Sequence, residues 1–144
     1  NDIRRQFLNC ESVKDYFAEN VLNSNAAFIP SEKLEAFEKL GSDAVIHLER
    51  DGSEYYIALE YEHTVKYSSR YHSLFFDYQL EREVPALFYI CRDKKVLKRV
   101  KASLEKSTYN SGKRVYFATL DCLKSNSGRM ELTNAASGKS LLVH

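Results

Sequence analysis

Residues 86–91 (ALFYIC) form an unbroken apolar run placed directly after Pro85, and no other segment limits the fold of this chain as strongly. Proline holds Val84 away from helical geometry, and a short continuous apolar run of this kind reads as a strand buried on both faces. Such a strand must lie inside a sheet that is covered on both sides. The expectation is a mixed α/β fold, a central mixed β-sheet flanked by helices on both faces.

The neighbouring segments supply the rest of that sheet. Residues 43–49 are apolar and strand-like, Asp51-Gly52 is a strong hairpin signal, and residues 55–62 (YYIALEYE) are rich in aromatic and aliphatic side chains. A helix capped by Thr64 or Ser68 is predicted to run to about Arg82, with Tyr67, Tyr71, Leu74, Phe75 and Tyr78 on one stripe. A basic amphipathic helix over 94–106 turns Val96, Leu97, Val100 and Leu104 inward and Lys94, Lys95, Lys98, Arg99 and Lys101 outward. A further strand follows over 115–120, and the tail 129–143 adds one weak edge strand. Upstream, 11–22 reads as an amphipathic helix, and a second helix is capped by Ser31 and stopped by Gly41. The stretches 107–112 and 124–128, rich in Ser, Asn and Gly, read as loops.

With 144 residues, 44% hydrophobic and 28% charged, the chain suits one domain over residues 1–144. It opens on Asn1 rather than methionine, so it is read as an excerpt with room for an upstream DNA-binding domain. No run spans a bilayer and no signal peptide is evident, which leaves the cytoplasm as the expected compartment and no membrane as a partner. Cys10, Cys91 and Cys122 have neither disulfide nor zinc spacing, and His47, His63 and His72 have no metal-binding spacing. Charge is distributed unevenly. Residues 1–83 carry nine Lys and Arg against sixteen Asp and Glu, and residues 84–144 carry twelve against four. An acidic site beside a basic surface suits a metal-dependent enzyme acting on a polyanion.

The chemistry concentrates on residues 55–62. Side chains alternate along a strand, so Glu60 and Glu62 share a face with Tyr56 and Ala58, while Tyr55, Ile57, Leu59 and Tyr61 share the other. Two acids on a buried strand are unfavourable unless they hold a cation, pair with a base, or sit at an open strand end. Pairing about a turn near Gly52 places residues 43–45 opposite 60–62, within reach for Asp43. Three carboxylates gathered in this way would hold a hard cation, Mg²⁺ or Mn²⁺.

The order Gly41-Ser42-Asp43, a hairpin, Glu60-Tyr61-Glu62 ending an apolar strand, a helix and a buried strand resembles the PD-(D/E)XK nuclease superfamily. Residues 43–77 with 85–91 are similar to the nuclease-like domains of the replication-relaxation group of plasmids and other mobile elements, and the likeness covers about residues 31–100. It implies a restriction-endonuclease-like core with Asp43 and Glu60 as the metal-holding carboxylates. Glu62 stands where lysine is usual, and Ser42 where the motif has proline. The resemblance gives Glu62 the part of added metal ligand or of base on the attacking water, as in the few members with glutamate there. Elsewhere in the superfamily, loss of the lysine accompanies loss of catalysis. Lys66, ahead of Arg70, is expected to return the missing positive charge from one helical turn apart on the next helix.

The implied function is a metal-dependent DNA endonuclease or nicking enzyme of a mobile element or its defence. Lys94, Lys95, Lys98, Arg99 and Lys101 would grip phosphates, and Tyr67 and Tyr71 would either stack on a base or join the core. Double-strand cleavage implies a homodimer or a partner protein. The alternative is an inactive module of the same fold that binds nucleic acid or a protein. A small-molecule enzyme is disfavoured, because the five glycines make no phosphate loop.

Overall fold

The computed structural model of the chain describes residues 2–22, 29–106, 111–125 and 128–144, so the two expected loops fall partly outside the described residues. Seven strands form one sheet in sequence order: β1 (Val13–Ala18), β2 (Ala44–Arg50), β3 (Ser53–Glu62), β4 (Leu87–Cys91), β5 (Val115–Thr119), β6 (Met130–Asn134) and β7 (Ser140–Val143). Strands β3, β4 and β5 run parallel, and every other pairing is antiparallel. All five residues of β4 are buried, as its apolar run requires.

The helices are α1 (Asp2–Leu8), α2 (Glu19–Leu22), α3 (Ser31–Leu40), α4 (Ser68–Leu80), α5 (Lys94–Glu105) and α6 (Leu120–Lys124). They cover both faces. Helices α3, α4 and α5 bury Phe37, Phe75 and Val100 in one core, while α1 and α6 bury Phe7 and Leu123 in the other. Two right-handed crossovers stepping the same way along a sheet put their helices on one side, which is why α4 and α5 lie together. The second face is therefore covered by the N-terminal α1 and by α6 in the connection from β5 to β6, not by the parallel crossovers. Both the backbone N–H and the hydroxyl of Ser12 donate to the His144 carbonyl at 2.7 Å, and Arg50 donates to the Leu142 carbonyl at 2.8 Å. The twisted sheet thus curls until its last strand meets the approach to its first.

Several local expectations are corrected. The helix expected over 11–22 is β1 followed by the one-turn α2. A β-bulge between Val13 and Asp15 shifts the two-residue period, so Val13 and Phe17, four apart in sequence as on a helical stripe, are buried in opposite cores. The tail forms two strands rather than one. Asn134 Oδ1 accepts hydrogen bonds from Ala136 N, Ser137 N and the Ser137 hydroxyl, and Gly138 at φ +71° completes the turn between β6 and β7. Helix α3 begins with Ser31 as its first residue and has no side-chain cap, while Gly41 closes it in left-handed geometry. Helix α4 runs from Ser68 to Leu80 with Tyr67 at its N-cap, so neither Thr64 nor Ser68 holds the cap position and the helix stops short of Arg82, and Tyr67, outside the stripe, is 88% exposed.

Candidate functional site

The Asp51-Gly52 turn fixes how the acids meet. Both residues have positive φ, 52° and 78°, giving a two-residue type I′ turn that pairs Arg50 with Ser53. Ala44 then pairs with Leu59, so one step further Asp43 stands opposite Glu60. The expected pairing of 43–45 with 60–62 is off by two residues, because the turn is tighter than the sequence alone specified. The faces of β3 are as expected: Ala58 joins the core under α4, Glu60 and Glu62 follow on that side, and Ile57 and Leu59 face the opposite core.

Glu60 is 8% exposed and Glu62 3% exposed. The carboxyl groups of Glu60 and Asp43 lie within hydrogen-bonding reach of each other. Burial first, and the Asp43 charge second, push Glu60 up to about 9, so at neutral pH the pair holds a proton. The Tyr78 hydroxyl donates to Glu60 Oε1 at 2.8 Å and is itself 2.7 Å from Ser42 Oγ, a chain running from the turn after α3, through α4, to β3. Asp43 is half-buried, and its Oδ2 accepts the Tyr61 backbone N–H at 2.8 Å.

Glu62 has separate partners. The Tyr89 hydroxyl of β4 donates to its Oε2 at 2.7 Å, and Lys66 Nζ lies 3.0 Å from its Oε1. That contact is an ion pair between a half-exposed ammonium and a buried carboxylate oxygen. Lys66 is on the connector before α4 rather than on the helix, where its N–H donates to the Tyr71 hydroxyl at 2.7 Å. Its charge also reaches Glu60 and draws that carboxyl's affinity for a proton downward against burial. Arg70 is exposed in the first turn of α4 and has no ion-pair contact to these acids.

Asp43 and Glu60 are thus brought together. Glu62 is held one strand repeat away, and among the described residues no group of three or more His, Cys, Asp or Glu converges as a metal site. The fit of a cation therefore rests on the pair: two oxygen donors, one buried and proton-loaded, suit a hard divalent ion that displaces the proton. Asp43 also lines a cleft of about 630 Å³ with Tyr16, Leu59, Tyr61 and Leu120, which opens Asp43 to solvent from the α1 side. Burial, with the Asp43 charge adding to it, pushes Tyr16 up to about 12.

The basic helix divides into two flanks. Lys94 and Lys101 line a second cleft beside β5, with Lys101 Nζ 5.8 Å from the centre of the Phe117 ring. Lys95, Lys98 and Arg99 are exposed and do not line it. His63 is exposed with Nδ1 3.3 Å from the Tyr61 hydroxyl, and Cys10 and Cys91 are buried thiols while Cys122 is exposed. Sequence reasoning missed the tyrosine framework. The available signal was the use of Tyr rather than Phe at buried positions 71, 78 and 89, since a buried hydroxyl needs a partner. Comparison with protein-family models, curated proteins and solved structures finds no match.

Proposed function

We propose that the chain is a metal-dependent nuclease that hydrolyses phosphodiester bonds in nucleic acid, a PD-(D/E)XK-type domain serving mobile-element replication, mobilisation or defence. The observation that carries this reading is the pairing of half-buried Asp43 with buried Glu60 at the carboxyl end of a parallel strand, where open α/β sheets bind ligands. Asp43 and Glu60 would hold Mg²⁺ or Mn²⁺, and that ion would polarise the phosphate and acidify a bound water. Tyr78, backed by Ser42, orients Glu60. Glu62, fixed by Tyr89, positions the Lys66 ammonium, which offers positive charge from the connector in place of the lysine absent at position 62. Arg70 and the basic face of α5 (Lys94, Lys95, Lys98, Arg99 and Lys101) give the approach a field that attracts phosphate.

The test is Mn²⁺ titration calorimetry on the wild type and on Asp43→Asn/Glu60→Gln, followed by nicking of supercoiled plasmid DNA by the same samples. Binding and nicking that both disappear in the variant support the enzyme. A wild type that binds no Mn²⁺ and nicks nothing removes it, and leaves the second reading, an inactive nuclease-fold module that binds nucleic acid or protein. That second reading is favoured by one feature: Tyr78 and Tyr89 already give each buried acid a neutral hydrogen-bond partner without a metal.

A further inference from the structure

We propose that the cleft between α5 and strands β5 and β6 takes the sugar-phosphate backbone of one unpaired nucleic-acid strand, with Lys94, Lys101 and Arg129 as its phosphate contacts. The choice of a nucleic-acid strand as the anion rests on the nuclease-fold reading above.

Shape comes first. Helix α5 is the last helix on its face of the sheet, so its flank forms one wall. Phe117, Thr119 and Thr133 form the floor, and Arg129 stands at the far side of a cleft of about 430 Å³. A space of this volume is of small-ligand size and receives a short stretch of one backbone rather than the body of a duplex.

Charge comes second. Among the described residues no carboxylate lies within ion-pairing distance of Lys94, Lys101 or Arg129. The one acid of the cleft, Glu131, accepts the Ser140 hydroxyl at 2.6 Å. Three cations around one concave, hydroxyl-bearing surface, with a single acid engaged elsewhere, leave excess positive potential that a polyanion neutralises.

Position comes third. Glu62, Cys91 and Thr119 are consecutive partners across β3, β4 and β5. Two interstrand spacings of about 4.8 Å put Thr119, at the mouth of the cleft, about 10 Å from Glu62, at the carboxyl edge that the three strands share. A strand lying along that carboxyl edge passes Glu62 and the cleft within a few nucleotides. Leu97, half-buried on the α5 wall, offers it apolar surface.

The experiment measures binding of a labelled 12-nucleotide single strand and of the matching duplex by fluorescence anisotropy, across a salt series and without divalent metal. The wild type is expected to bind the single strand more tightly than the duplex. Lys94→Glu/Arg129→Glu is expected to lose at least about tenfold in affinity, and the slope of log affinity against log salt to flatten by about 0.7 for each cation removed. Lys94→Gln/Arg129→Gln gives the same direction if the reversed charges impair folding. Lys39→Glu/Arg82→Glu, an equal charge change on α3 and in the turn after α4, is expected to leave binding within about twofold. Equal or tighter binding of duplex, no binding of the single strand, or a larger loss from Lys95→Glu/Arg99→Glu overturns the proposal. Because the assay contains no metal, failure of Mn²⁺ to bind at Asp43 and Glu60 is read separately and leaves this result standing.

Discussion

Glu60 shows how one buried carboxyl ties stability to the chemistry proposed for it. Its pKa rises from 4.5 to about 9 because folding removes it from water and sets it beside Asp43. A folded-state value above the unfolded one means that the stabilisation is complete below about pH 4.5 and is lost as pH climbs towards 9. For one proton the slope is at most about 1.4 kcal/mol per pH unit. Glu60→Gln keeps an Oε1 acceptor for the Tyr78 hydroxyl and cannot ionise. Urea unfolding at pH 5, 7 and 9 should therefore show a wild type that weakens with pH and a variant that weakens distinctly less, the two being close at pH 5. An identical decline in both would place the titrating group elsewhere. The same substitution is expected to abolish Mn²⁺ binding, so the residue that limits stability at high pH is the one the proposed function needs.

At the scale of elements, the C-terminal end of α4 depends on a residue far away in sequence. Arg114 Nη1 donates to the Glu81 and Val84 carbonyls at 3.1 and 2.8 Å, and Nη2 to the Tyr78 and Gln79 carbonyls at 2.9 and 2.6 Å. The guanidinium thus gives a donor to carbonyls of the last turn of α4 and of the turn after it, the Tyr78 carbonyl also accepting the Glu81 N–H. Arg114→Ala should destabilise by about 2–4 kcal/mol, read from the urea midpoint. Lys, with a single ammonium in place of a planar fork, should restore only part of that; full rescue would show that charge, not the fork, matters. Tyr78 sits in the turn so anchored, so the variant should also weaken cation binding at Glu60. None of this could be read along the chain, because Arg114 and Tyr78 lie on separate elements. The same holds for Tyr78 with Glu60 and Tyr89 with Glu62. What was legible was local. Apolar continuity marked β4, Asp51-Gly52 marked the hairpin, and the two-residue period put Glu60 and Glu62 on one face. The bulged β1 was misread, since its extra residue shifts that period, and the register waited on the turn's actual φ angles.

The whole molecule joins the acidic first part of the chain to the basic second part along one edge. Because β3, β4 and β5 are parallel, their carboxyl ends lie together, with the acids at the end of β3 and the cations of α5 beside the ends of β4 and β5. A divalent ion held by Asp43 and Glu60 would link strands β2 and β3 and act as a stabilising ligand of the native sheet alone. At one hundred times its dissociation constant it should add about 2.7 kcal/mol, raising Tm by roughly 5–10 °C for a domain of this size. The pair must shed its proton to take the ion, so that gain should be larger at pH 8.5 than at pH 6, opposite in sign to the pH trend without metal. Thermal unfolding with and without Mn²⁺ at both pH values measures this directly. A gain that is equal at the two pH values, or that persists in Asp43→Asn/Glu60→Gln, would mean that the ion binds elsewhere, and the edge would then be a surface for nucleic acid without a metal of its own.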